Sequence, residues 1–443
     1  MKHVLILGSG RSSFHLIEYL IQQADTESWK ITIADRFFAP VWDVFKNHPR
    51  TSWIELDLNS SAEWDRLFNG IYFVISLLPP SWHVKVAQKA LENNIHMATA
   101  SYLSPEVLKL QSEIEQKQLF FLNECGLDPG LDHASAMDMI ARLKAQNASI
   151  EAFYSYCGGL PSPKTSTDRW GYKFSWNPRN VILAGQSHAR FKENGTETLI
   201  PYVQLFKRAE TVCINSIPYD AYANRDSLTY LKTYGLPEIP SFKRGTLRRS
   251  GFCIAWNVWV ALGLTDDTLL INIETPIAFS DFVNRFLPSG SGCVESRMLK
   301  AAGYPEDSDV INHLLDLKMS EFTVTAQQCT PAQILQSLLE NRWQLNDLDT
   351  DLVLMYHEIY YTNSQQKRFK KTSTFELEGV NNLDTAMSKS VGLPLALSVA
   401  AFLKGQIRLS GLIIPTHPVL YTYLLKELAA VGLVFKETEE ELV

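Results

Sequence analysis

Through the first 130 residues, short unbroken apolar runs alternate with stretches in which apolar residues recur every three or four positions. Val4, Leu5, Ile6 and Leu7 run together into Gly8, as a strand buried on both faces does. Phe14, Ile17, Leu20, Ile21 and Ala24 follow at helical spacing. Further strands are predicted over 31–34, 71–78, 96–99 and 119–122, with a helix through Val84, Ala87, Ala90 and Leu91 and another over 105–117. Strand and helix in such alternation specify an α/β chain with a doubly wound parallel sheet.

Beyond Asp132 the pattern changes. Residues 151–157 alternate like a strand, and Gly158, Gly159, Leu160, Pro161, Ser162 and Pro163 have the chemistry of a loop. The stretch 255–345 is mainly helical, with Trp256, Val260, Leu264, Ile334, Leu335, Leu338 and Leu339 as core positions. Segments 352–362 and 372–378 read as a hairpin around a basic turn, Lys367 to Lys371. That turn is short and isolated, which favours a solvated hairpin tip over a nucleic-acid patch. Two long helices close the chain, near 384–404 and 418–432.

The chain has 443 residues, 46% of them hydrophobic and 20% charged, the composition of a globular protein of about three domains. With 41 basic against 48 acidic side chains, the formal charge of −7 gives no footprint of a nucleic-acid binder. The longest apolar candidate for a membrane span, 394–403, contains Ser398, stops at Lys404 and reads as a buried helix. The apolar run after Met1 is too short for a signal peptide and flows into a glycine turn. No membrane association is expected, and a cytoplasmic location is. The six cysteines form no metal-spaced cluster, so reduced thiols and no metal site are expected.

The candidate chemistry begins at Gly8, Ser9, Gly10, Arg11, Ser12 and Ser13, between a strand and a helix. Gly8 permits the tight turn, and Gly10 lets a pyrophosphate approach the backbone. Ser13 stands where the usual fingerprint has a third glycine, and a ligand-free strand–helix turn is the alternative reading. Asp35 closes the second strand, where an acid accepts hydrogen bonds from a ribose or simply caps a turn. A carboxylate there repels a 2′-phosphate, whereas Arg36 can bind one. The expected cofactor is NAD or NADP, with a lean to NAD. Ser76, Leu77 and Leu78 end a later strand on the nicotinamide side, and Asp57 completes the cofactor-side candidates.

Several blocks together resemble the saccharopine dehydrogenase (saccharopine reductase) family. They are Thr99 to Pro105, Asn123 to His133, Ser155 to Pro161, Tyr172 to Trp176, Asn224 to Ser227, Arg244 to Arg248, Ala386 to Lys389 and Val391 to Pro394. The likeness runs in order through nearly the whole chain. It implies a Rossmann domain over 1–130, completed by about 395–443. It further implies a mixed α+β domain over 131–394 for substrate binding and dimerisation, carrying the helical insertion. It also implies NAD(P)-linked interconversion of saccharopine with L-glutamate and 2-aminoadipate 6-semialdehyde through an imine, by a homodimer. The regions 265–345 and 186–208 match poorly, and Asp35 departs from members that use NADP.

By this resemblance Ser101, Tyr102, Asp128, Arg225, Thr246, Leu247 and Arg248 bind a small amino-acid substrate, and Ser175 contacts the cofactor. Saccharopine carries three carboxylates, which arginines bind through paired hydrogen bonds. Asp128 would orient the substrate amine or a water, and Tyr102 would donate to a carboxylate. Cys157 would line the same site as a packed wall, because hydride transfer needs no thiol nucleophile. Arg225 could instead pair structurally with Asp226, and His133 reads as a helix-start or core histidine. The competing functions are a related carboxynorspermidine- or lysine-type dehydrogenase and a non-catalytic NAD(P)-binding regulator. Fewer carboxylate-binding arginines would suit the first.

Overall fold

A computed structural model of the chain describes residues 1–184, 186, 188–325 and 327–442. The chain divides into two compact units, one of Met1–Asn147 with Leu383–Lys436 and one of Ala148–Asn382 with the tail from Glu437.

The first unit is built on the expected parallel sheet. Seven strands lie in the order Gly411–Ile413, Phe120–Leu122, His96–Thr99, Phe73–Ser76, His3–Leu7, Lys30–Asp35, Thr51–Glu55, and every neighbouring pair is parallel. Val4, Leu5, Ile6 and Leu7 are fully buried, which is why the run is unbroken rather than alternating. Connections turn opposite ways from His3–Leu7 and Phe73–Ser76, and ligands of such sheets bind where the carboxyl ends of two such strands part. The Gly8 turn and the segment after Ser76 both lie there.

Two strands of this sheet carried too little pattern to be predicted. Thr51–Glu55 is a short edge strand with no buried residue, and Gly411–Ile413 has only three residues. The expected helix over 105–117 is two shorter ones, Pro105–Leu108 and Gln111–Gln116. Helix Ala386–Leu403 is long and apolar enough to cross a membrane by length and composition, yet most of it is buried inside this unit. It packs on helix Phe14–Glu27, and a Cβ added at Gly392 would stand 2.9 Å from the Leu16 amide nitrogen. The close approach is thus provided by a glycine on the late helix, while Ser13 bonds Gly10 O through its hydroxyl at 2.6 Å. The unit also takes in helix Leu131–Ala145, which packs against Pro418–Ala430, so the boundary falls later than residue 130.

The second unit is a mixed sheet in the order Glu210–Ile214, Ile217–Ala223, Ser241–Arg249, Ser149–Pro161, Asp351–Thr362, Arg368–Glu378, Lys436–Leu442. The hairpin of Ala189–Glu193 and Thr196–Ile200 joins it at Ser241–Arg249. The expected helical region is present as Phe252–Ala261, Phe279–Asn284, Val294–Ala301, Val310–Asp316 and Pro331–Arg342. These close over a core that contains Trp170, Trp256, Trp259 and Trp343. A capping box between Thr330 and Gln333 starts the last of them.

Three expectations change here. The glycines at 158 and 159 do not make a loop; the strand continues to Pro161, and a Cβ on Gly158 would stand 2.8 Å from Leu247 Cβ on the neighbouring strand. The basic residues from Arg368 to Lys371 lie on a strand rather than at the hairpin tip, with Arg368 paired to Glu151, Lys370 to Glu358 and Lys371 to Glu437. The charged tail Lys436–Leu442 does not complete the first unit. It is the edge strand of the second, held by Lys367 to Glu441 at 2.8 Å and Lys371 to Glu439 at 3.4 Å. All six cysteines are free thiols, four of them buried.

Candidate active site

In the first unit, Gly8 adopts φ +100°, a region that L side chains rarely enter, and its backbone turns the chain out of the sheet. A Cβ at Gly10 would meet nothing within 4 Å, so the turn presents bare, open backbone ahead of helix Phe14–Glu27. Such a surface fits a pyrophosphate. The Asp35 carboxylate faces the turn: it accepts from Ser9 N at 2.5 Å, from Ser9 Oγ at 2.8 Å and from Arg36 N at 2.6 Å. The Arg36 side chain is exposed, with no hydrogen bond or ion pair among the described residues. Arg11 is exposed, Ser12 half-buried and Leu77 half-buried, while Leu78 is packed into the core. Asp57 is exposed and closes a turn by accepting from Asn59 N at 3.0 Å.

The strand ends on the other side of the switch carry a second polar group. Ser76 is fully buried, and its hydroxyl meets His83 Nδ1 at 2.9 Å. His83 Nε2 meets Ser101 Oγ at 2.7 Å. Burial pushes the His83 imidazole down to about 4. Sequence reasoning missed this histidine because a lone His in a helix pattern has no spacing partner to expose its role. Next to Ser101, the Tyr102 hydroxyl donates to Asp128 Oδ1 at 3.0 Å. The tyrosine proton expected to serve a substrate carboxylate is therefore directed to Asp128. Beneath them, Glu124 and His133 form a buried pair at 2.8 Å, with Glu124 also accepting from Leu103 N at 2.9 Å. His133 is thus the core histidine that its setting suggested.

The second unit brings three of its candidates, Cys157, Thr246 and Arg248, onto one sheet face. Tyr222, Thr246, Cys157 and Met355 stand in register across four strands, so their side chains share a side. Arg248, two positions beyond Thr246, lies on that side too. The residue is 2% exposed, with its guanidinium among the rings of Tyr172, Tyr222 and Phe252 at 5.2, 5.7 and 5.5 Å. It donates to Leu247 O at 3.0 Å and Tyr222 Oη at 3.3 Å, while Nε has no partner and no carboxylate is within ion-pair distance among the described residues. Leu247 points the other way, into a cluster with Tyr156, Leu160 and Tyr356, so only its backbone remains for a ligand.

Arg225 is exposed and has φ +49°, with its carbonyl accepting from Arg190 N at 2.9 Å. Asp226 is engaged elsewhere, by Arg190 Nη1 at 2.9 Å and Leu228 N at 3.0 Å. Cys157 is 6% exposed, consistent with a wall residue. Ser175 is buried in a loop tied down by Phe174 N to Trp343 O at 2.8 Å and by the ion pair of Lys173 with Asp349.

Comparison with known proteins converges with this architecture. Residues 4–122 match the family described as saccharopine dehydrogenase NADP binding domain, and residues 126–433 the saccharopine dehydrogenase C-terminal domain. A saccharopine dehydrogenase (NADP(+), L-glutamate-forming) of Schizosaccharomyces pombe is 30% identical over 453 residues, covering all of this chain and 99% of the relative. The alpha-aminoadipic semialdehyde synthase of Arabidopsis thaliana is 28% identical over 99% of this chain, which matches 45% of that longer protein. The solved apo saccharopine dehydrogenase (L-Glu forming) of Saccharomyces cerevisiae superposes with a TM-score of 0.85 at 29% identity, over 99% of this chain and all of that one. Full-length similarity to these proteins, with both domain families matched in order, places this chain in the saccharopine dehydrogenase family.

Proposed function

We propose that the protein catalyses NADP-linked oxidation of saccharopine to L-glutamate and 2-aminoadipate 6-semialdehyde, and the reverse. The observation that carries the substrate is Arg248, a buried guanidinium with no carboxylate partner among the described residues. A buried charge without a counter-ion is costly, and a substrate carboxylate would supply the missing partner. A substrate without carboxylates would leave that cost in place.

The relatives' names specify NADP(+), and the lean to NAD from Asp35 finds no support there. The physical reason is in the turn. Three hydrogen bonds from Ser9 and Arg36 N draw the Asp35 carboxylate inward, while the exposed Arg36 guanidinium is available to a 2′-phosphate. Gly8, Ser9, Gly10, Arg11 and Ser12 would hold the pyrophosphate, and the nicotinamide, when bound, supplies the hydride acceptor.

The protein's part is position and electrostatics. Asp128 holds the substrate amine, with Tyr102 fixing that carboxylate in place at 3.0 Å. Arg225, Arg248 and Thr246 bind carboxylates, and Ser101 adds a hydroxyl donor. Loss of hydride from the carbon beside the amine leaves an imine; water adds to it, and the C–N bond breaks to release glutamate and the semialdehyde. Purified protein given saccharopine and NADP should form NADPH and glutamate in equal amounts. No absorbance change at any saccharopine concentration, with folded protein, rejects the reading. A homodimer is proposed on the family resemblance, and light scattering at micromolar concentration tests it.

A further inference from the structure

The hydrogen-bond chain from Ser76 through His83 to Ser101 has a direction that can be worked out. Burial keeps the His83 ring neutral at ordinary pH, so it has one donor nitrogen and one acceptor nitrogen. Ser76 Oγ has no other partner among the described residues and is fully buried. Its proton must therefore go to His83 Nδ1, since a buried hydroxyl proton left unbonded costs about 1–3 kcal/mol. The ring proton is then on Nε2 and is donated to Ser101 Oγ at 2.7 Å. Ser101 is half-buried, and its own hydroxyl proton has no acceptor among the described residues. With one lone pair taken by His83, that hydroxyl is left as an oriented donor.

We propose that His83 is a positioning residue, which, held by Ser76, fixes the Ser101 hydroxyl as a hydrogen-bond donor to a carboxylate of the substrate. The proposal rests on the reading of Ser101 as a substrate contact. It differs from a role for His83 as an acid or base: the imidazole exchanges no proton during turnover and sits one hydroxyl away from the ligand. If the other tautomer were present, Ser101 would spend its proton on the ring and meet the carboxylate with lone pairs, which repels it.

The test compares His83→Phe, Ser101→Ala and the double variant by steady-state kinetics. Each single change should raise KM for saccharopine roughly three- to tenfold, with a smaller effect on kcat. The double variant should be no worse than Ser101→Ala, because His83 acts only through that hydroxyl. Losses that multiply in the double variant, or a lower melting temperature in His83→Phe with unchanged KM, overturn the inference. Unchanged KM in Ser101→Ala, with wild-type turnover intact, removes Ser101 from the site and the inference with it. Absence of wild-type turnover instead rejects the proposed function. Should His83→Phe fail to fold, nitrogen-15 spectra of histidine-labelled wild type decide alone: a proton on His83 Nε2 is expected, and one on Nδ1 overturns the proposal.

Discussion

The two groups of candidate residues are built on opposite principles. At the carboxyl edge of the first unit, polar groups have internal partners: Asp35 has Ser9, Tyr102 has Asp128, and Ser76 has His83. On the sheet face of the second, Arg248 is buried among aromatic rings with no counter-ion among the described residues. In the first arrangement these groups are held in place before a ligand arrives, with the Ser101 proton left over, so on the proposed function it would contribute orientation. The second lacks an anion among the described residues, so on the proposed function it would contribute binding free energy.

The sharpest way to break this contrast is Arg248→Met. If the guanidinium awaits a carboxylate, its removal should lower kcat/KM for saccharopine by about 2–5 kcal/mol, roughly thirtyfold to a few thousandfold. Melting temperature should hold or rise, because an uncompensated buried charge has gone. A fall in both would make Arg248 a structural residue and remove the contrast.

The first unit's internal bonding has its own signature in acid. His83 titrates near 4 when folded against an ordinary 6.5, with burial as the cause. Between those values the unfolded chain binds the proton more readily, so the contribution of neutral His83 is present above about 6.5 and lost as pH falls toward 4. The full loss is about 3 kcal/mol. Urea unfolding from pH 7 to pH 4 should show it, and His83→Phe should lessen the loss, leaving the share of His96, which burial also pushes down to about 4.

Arg225 tests whether the second unit's exposed arginine works like its buried one. Arg225→Ala and Arg225→Lys should each lower saccharopine efficiency by about tenfold to a hundredfold, since lysine cannot make the planar paired contact. Normal kinetics in Arg225→Ala would take it out of the site. The smallest effect is expected at Asp35: Asp35→Ala should raise the NADP-to-NAD ratio of kcat/KM severalfold by removing a like charge near the 2′-phosphate while Arg36 remains. An unchanged or falling ratio would mean that the Ser9 bonds already neutralise the acid.

How legible each region was in the sequence follows the same division. The glycine turn, Asp35 and the strand ends were readable because motif and local pattern lie within a few residues of one another. The sheet face was not, because Cys157, Thr246, Tyr222 and Met355 meet only through strand register, and register leaves no local trace. Family resemblance, not periodicity, picked out Thr246 and Arg248. Glycine misled in one place: Gly158 looked like loop chemistry but marks close contact between strands. Family resemblance misled in another, where the segment to the chain's end is assigned to the first unit and Lys436–Leu442 is an edge strand of the second, matched to lysines on its neighbour.

The late completion of the first unit has a consequence for how the chain is made. Its nucleotide motif is made long before the sheet can be finished, because strand Phe120–Leu122 pairs with Gly411–Ile413. At about 5–20 residues per second, the roughly 290 residues between them take on the order of 15–60 s to synthesise. For that time Phe120, Phe121 and Leu122 end an open sheet edge, and helix Phe14–Glu27 lacks the Ala386–Leu403 helix that covers it. A nascent chain with every glycine of the turn in place would still be a sticky, unfinished sheet. Chains released early from the ribosome should therefore aggregate rather than bind a dinucleotide.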